Sequence, residues 1–137
     1  MNPEQVSLSA TEAEIDAILS RYRRVAIVGL STDPERPSYQ VAAYLQDRGF
    51  EIFPVNPKCQ EVLGRPCYPD LRSVPPPVEI VDIFRQVEAI PGIVDEAIAV
   101  GAKVVWMQLG LEAPEAAAKA RNAGLQVVMN RCMKIEL

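Results

Sequence analysis

Short runs of branched apolar residues recur along this chain, each separated from the next by a stretch with helical spacing, and this alternation decides the fold class before any single motif is considered. The runs cover residues 25–28, 50–55, 79–84, 103–107 and 126–129. Continuous apolar runs of this kind mark strands covered on both faces, as in a parallel sheet; a sheet with one wet face would alternate apolar and polar residues. Between the runs, apolar residues return every three or four positions, with Val41, Ala42 and Leu45 in 38–48, Ile93, Val94, Ala97 and Ile98 in 91–100, and a third helical stretch over 114–123. Gly49, Gly101 and Gly124 stand where a helix C-terminus favours a left-handed residue. Residues 11–23 read as one more amphipathic helix, with Ile15, Ile18, Leu19 and Tyr22 on one face and Thr11 and Glu14 spaced as a capping box. The order predicts an α/β fold: a Rossmann-like doubly wound sheet of five mostly parallel strands, with helices on both faces and an N-terminal helix before it, joined by right-handed crossovers. A single domain over residues 1–137 and one site are expected for this length.

In such sheets ligands sit outside the carboxyl ends of the strands, so the residues just after each run carry the functional argument. The first end is the richest. An apolar strand runs into Gly29, Leu30 and Ser31, and after a short loop come Arg36, Pro37 and Ser38, where the next helix is expected to begin. Glycine lets backbone approach a ligand without a Cβ, and a helix N-terminus offers free N–H groups and the positive end of its dipole to an anion. Of the full dinucleotide fingerprint only Gly29 survives.

The other ends carry Asn56, Pro57 and Lys58; Phe84 and Arg85; Gln108; and Asn130, Arg131 and Cys132. A dinucleotide domain places an acidic residue after its second strand to hold the ribose hydroxyls. Lysine at that position instead favours a ligand with a phosphate near its ribose, such as NADP or coenzyme A (CoA). Arg36, Lys58, Arg85 and Arg131 are expected to converge at one edge of the sheet on a polyanionic ligand. Phe84 and Trp106 are either core or flat surfaces for an adenine, and Cys132 is either a buried thiol or a neighbour of a ligand thiol. The stretch 56–77, rich in proline, shows neither period and reads as a long loop. Pro54 is placed in the last, partly unpaired step of the second strand.

Composition narrows the field further. The formal net charge is −4 with no basic cluster, which disfavours a nucleic-acid partner. No apolar run reaches the length of a membrane span, and Met1 to Gln5 lack the basic and apolar regions of a secretory leader, so a cytoplasmic protein is expected. Three cysteines, Cys59, Cys67 and Cys132, without C-x-x-C spacing argue against a disulfide framework and a zinc site, and reduced thiols are expected. The chain contains no histidine, which removes every mechanism that needs an imidazole as base, metal ligand or phosphoryl acceptor. No catalytic and no metal-binding residue is assigned.

Together, Val25-Ala-Ile-Val-Gly-Leu-Ser31 with Arg36-Pro-Ser38, Phe53-Pro-Val-Asn-Pro57, Gly64 with Tyr68-Pro-Asp-Leu71, Val81-Asp-Ile-Phe-Arg85, Trp106-Met-Gln-Leu-Gly110 and Met129-Asn-Arg-Cys132 resemble the CoA-binding domain family. These are single-domain Rossmann-like proteins similar to the N-terminal domain of the succinyl-CoA synthetase alpha subunit. The resemblance implies a CoA site across the strand ends, with Ser31, Arg36 and Ser38 at the phosphates and Asn56, Pro57 and Lys58 near the adenosine; Gly29 and Pro37 count among the cofactor-binding residues. Phe84, Arg85, Gln108, Asn130 and Arg131 would line the remainder. The synthetase uses a phosphorylated histidine from another domain, and this chain has no histidine, so a non-catalytic carrier, sensor or partner of an acyl-CoA enzyme is the expected role. An NADP-dependent reductase, or a protein-interaction module using the 56–77 loop, stands as the alternative. The N-terminal helix could cover a sheet edge or a partner subunit equally well, so a protein partner or a homodimer stays open.

Overall fold

The computed structural model describes residues 9–137. The leader argument rests on Met1 to Gln5 and lies outside them. Helix α1 (Glu12–Arg21) starts at an N-cap Thr11 whose side chain accepts from the Glu14 N–H while the Glu14 carboxylate accepts from the Thr11 N–H, the capping box the spacing predicts. It is followed by β1 (Arg24–Val28), α2 (Pro37–Asp47), β2 (Glu51–Val55), a hairpin of β3 (Glu61–Val62) and β4 (Arg65–Pro66), and β5 (Ile80–Ile83). The chain continues through α3 (Ile90–Ala99), β6 (Val104–Met107), α4 (Pro114–Asn122), β7 (Gln126–Val128) and α5 (Met133–Glu136).

The main sheet has five strands in the order β2-β1-β5-β6-β7, every neighbouring pair parallel. Helices α3 and α4 pack on one face, over Val81, Val105 and Val127, and α1, α2 and α5 on the other, over Ile27, Ile80 and Trp106. Each strand is therefore covered on both sides, which is why its sequence reads as an apolar run, interrupted in β5 by Asp82. The first crossover runs from β1 outward to β2 on one face, and the later ones run from β5 to β7 on the other. The winding direction reverses between β1 and β5, and their carboxyl ends open a crevice.

Three expectations are corrected. Pro54 lies inside β2, opposite Ile27, and not at a frayed end. Strand β2 is the sheet edge, and the Pro54 carbonyl points outward to accept from the Tyr68 N–H at 2.8 Å. The missing N–H faces the same way, so no bond to β1 is lost. The 56–77 segment is also not a plain loop: β3 and β4 form a tight hairpin turned by Leu63 and Gly64, both at positive φ, and Tyr68 bridges to Val55. Two-residue strands carry no readable period. That same hairpin brings Cys59 and Cys67 together as a disulfide with Cα atoms 5.6 Å apart, against the expectation of three reduced thiols, and leaves Cys132 as the free cysteine. Their separation of 8 residues matches no spacing signature, so only the hairpin reveals the pair.

Candidate functional site

The β1–β5 crevice is built around Gly29. At φ +89° this residue occupies the left-handed region, and a Cβ there would stand against the Phe84 carbonyl oxygen and 2.9 Å from Arg85 Cδ. Only glycine allows the end of β1 to lie this close to the end of β5. The turn is fixed by Gly29 N–H donating to the Val55 carbonyl at 2.9 Å and Phe84 N–H to the Val28 carbonyl at 2.8 Å. From it opens a cleft of about 630 Å³ bounded by Gly29 and Ser31, by Arg36, Pro37 and Ser38 at the head of α2, and by Phe84, Arg85 and Gln86 after β5.

Helix α2 begins with Pro37 in its first turn and Arg36 as N-cap, without a side-chain cap. Proline costs nothing there because the first N–H groups have no intrahelical acceptor, and those that follow point out of the helix start with the positive dipole end behind them. The buried Ser38 hydroxyl accepts from the Ser31 N–H at 3.0 Å and ties the loop to the helix. Arg36 sits 3.9 Å from Asp33, but their side chains are 71% and 53% exposed. An exposed pair of this kind contributes about 0–1 kcal/mol, less than the roughly 1.5–3 kcal/mol of a hydrogen bond to a charged group, so an arriving phosphate would win the guanidinium.

A second cleft of about 310 Å³ continues from Gly29 and Arg85 to Val55, Asn56, Pro57 and Lys58. Asn56 is structural: its amide donates to the Leu30 carbonyl at 3.0 Å and its oxygen accepts from the Lys58 N–H at 2.9 Å, locking the β1 and β2 ends together. Lys58 and Arg85 are exposed, and among the described residues neither has an ion-pair partner. Two clefts share Gly29 and Arg85 and carry three cations on their walls, a shape and charge that suit an elongated ligand with several negative charges.

Comparison with known proteins decides the family. The family model described as a CoA binding domain matches residues 23–137. The chain belongs to the CoA-binding domain family. It is 41% identical over 125 residues to Uncharacterized protein YneT of Bacillus subtilis strain 168, covering 91% of this chain and 93% of that one. A solved structure of a hypothetical protein from Pyrococcus horikoshii OT3 superposes with a TM-score of 0.90 at 43% identity, over 99% of this chain and 96% of that chain. The ADP-forming acetate–CoA ligase II of Archaeoglobus fulgidus is 29% identical over 83 residues, which are 59% of this chain and 12% of the ligase.

Within this CoA-binding domain the predicted site residues divide. Gly29, Ser31, Arg36, Pro37, Ser38, Phe84 and Arg85 meet at the first cleft, and Asn56, Pro57 and Lys58 at the second. Gln108 lies in a third cleft that adjoins the first. Asn130 and Arg131 line none of them. Asn130, at φ 58°, accepts from the Gly110 N–H at 2.6 Å and joins the β6 and β7 turns. The Arg131 guanidinium is held by Glu12 of α1 at 2.5 Å and Glu136 of α5 at 3.4 Å, and the Glu12 carboxylate keeps it charged more firmly than an ordinary arginine. The expected convergence of four cations thus reduces to three, because α1 brings a carboxylate to the fourth. Trp106 is fully buried and donates to the Arg131 carbonyl at 2.8 Å, which makes it core, whereas Phe84 is half-buried and faces the clefts.

Two residues were not singled out from the sequence. Gln86 borders the first cleft. Asp82 lies in the middle of β5, fully buried, with Gln108 Nε2 donating to its Oδ1 at 2.5 Å and its Oδ2 without a partner. Burial pushes its carboxyl up to about 8, against the smaller opposing effect of the Gln108 hydrogen bond. The signal for it was a single acidic residue inside the apolar run 80–83. No group of three or more His, Cys, Asp or Glu side chains able to hold a metal occurs among the described residues.

Proposed function

We propose that this protein binds CoA across the carboxyl ends of β1, β5 and β2, as a non-catalytic cytoplasmic carrier, sensor or partner of an acyl-CoA enzyme. CoA is a 3′-phosphorylated ADP joined to a pantetheine arm, so it carries a pyrophosphate and, one ribose away, a second phosphate. The observation that carries the reading is the pair of clefts joined at Gly29. One ends on the start of α2 with Arg36 and Arg85 and suits the pyrophosphate, and the other ends on Lys58 and suits the 3′-phosphate. The family match supports the ligand class. With no histidine in the chain, the residues around the clefts bind and orient, and group transfer falls to another protein.

Isothermal titration of nucleotide-stripped protein with CoA, dephospho-CoA, NADP and NAD tests this. CoA is expected to bind at micromolar concentrations or tighter, with NADP and NAD well behind. Dephospho-CoA should bind more weakly than CoA in the parent protein and equally to CoA in Lys58→Ala. A preference for NADP would move the protein to the redox class, and binding of none of the four would overturn the reading.

A further inference from the structure

The third cleft, about 310 Å³, shares Pro37 and Phe84 with the phosphate cleft and differs from it in character. Its walls are Val41 of α2, Leu111 after β6 and Ile135 of α5, with Leu109 on the rim. Leu109 and Ile135 are 65% and 70% exposed, the two most exposed large apolar side chains among the described residues. Scattered exposed apolar residues need no explanation, but Leu109 and Ile135 lining one apolar cleft together expose a surface that a ligand would cover. The polar exception is Gln108, only 4% exposed, whose amide nitrogen gives one proton to Asp82 and carries a second. Cys132 stands in the same wall, half-buried and outside the disulfide.

A cationic cleft running into an apolar one matches a ligand with a polyanionic head and an apolar tail. The pantetheine arm is rich in amides and ends in a small thiol, so CoA alone leaves the apolar walls largely uncovered. We propose that the physiological ligand is an acyl-CoA thioester with a short apolar acyl group, seated between Val41, Leu109, Leu111 and Ile135 with the thioester carbonyl toward Gln108 and its sulfur near Cys132. This rests on the CoA reading above. The cleft lies at the small end of ligand-pocket sizes, room for a short acyl group beside the end of the pantetheine arm.

Cys132 supplies a native reporter. Titration of the full chain with acetyl-CoA and butyryl-CoA, beside CoA, should show affinity rising on the order of fourfold for each methylene buried. In parallel, maleimide alkylation of Cys132, read by peptide mass, should slow progressively with 3′,5′-ADP, desulfo-CoA and butyryl-CoA; desulfo-CoA avoids consuming the reagent. Leu109→Ser should reduce the butyryl preference and leave CoA affinity unchanged. Equal affinity for CoA and butyryl-CoA, with Cys132 alkylated as fast in the butyryl complex as in the free protein, would overturn the acyl site and leave the CoA reading intact. Cys132 shielded without ligand in a dimeric protein would also overturn it, since a second copy would then cover the cleft. Failure of every CoA species to bind would overturn both.

Discussion

The second and the last strand ends of this sheet carry the same kind of sequence, asparagine followed closely by a cation: Asn56-Pro-Lys58 after β2 and Asn130-Arg131 after β7. Both asparagines are consumed by the backbone, Asn56 by Leu30 and Lys58, Asn130 by Gly110. The cations part ways. Lys58 stands exposed at the mouth of a cleft, whereas Arg131 is tied to Glu12 and Glu136. A strand-end cation is available to a ligand where the fold does not clamp it between two carboxylates, as it clamps Arg131. Here the helix before β1 supplies one to the β7 end, and the segment leading into that helix is tied to β7 by the bond from Ala10 N–H to the Val127 carbonyl at 2.7 Å.

The sharpest way to break the distinction is to close the crevice that gives the first end its ligand access. Gly29→Ala forces a Cβ against the Phe84 carbonyl at a positive φ, and should lower stability by about 2–4 kcal/mol and abolish CoA binding; denaturant unfolding and titration of the same sample read both effects. Next, Arg85→Ala, on the wall shared by two clefts, should weaken CoA binding by about 1–3 kcal/mol. Arg131→Ala should leave affinity where it was and lower thermal stability slightly. Equal losses of affinity in the two variants would erase the contrast.

A third test lies beneath the β6 end. The Asp82 carboxyl titrates near 8 in the folded protein and at its ordinary value of 3.8 in the unfolded chain. Between these values the folded state holds a proton that the unfolded state has released. Stability should therefore fall as pH rises from about 4 to about 8, by at most about 1.4 kcal/mol per pH unit from this group, and level off above. Asp82→Asn, isosteric with the protonated acid, should lack that component when unfolding is followed across the range. The smallest expected effect is Lys58→Ala on dephospho-CoA affinity, near zero by calorimetry, because the phosphate this lysine is assigned is missing from that ligand.

Much of the fold is legible because burial on both faces writes itself as apolar runs: all five strands begin or end within one or two residues of the runs that announce them. The crevice was legible too, through Gly29 and the Pro37-Ser38 helix start. What stayed hidden depended on contacts remote in sequence. Glu12 lies at the other end of the chain from Arg131, and the disulfide between Cys59 and Cys67 needs a hairpin whose strands are two residues long. Gln108 is legible as a strand-end residue, but its partner Asp82 and the apolar walls beside it emerge only once α2 and α5 are packed on the same face.

The most direct test of the central claim is amide chemical-shift mapping of the isotope-labelled protein titrated with CoA. Binding in the β1–β5 crevice should give the largest changes at Gly29, Ser31, Ser38, Lys58 and Arg85, with Asn122 and other α4 amides on the opposite face unmoved and Arg131 shifted little. Changes centred on Arg131 and the β7 end, or none at all, would contradict it.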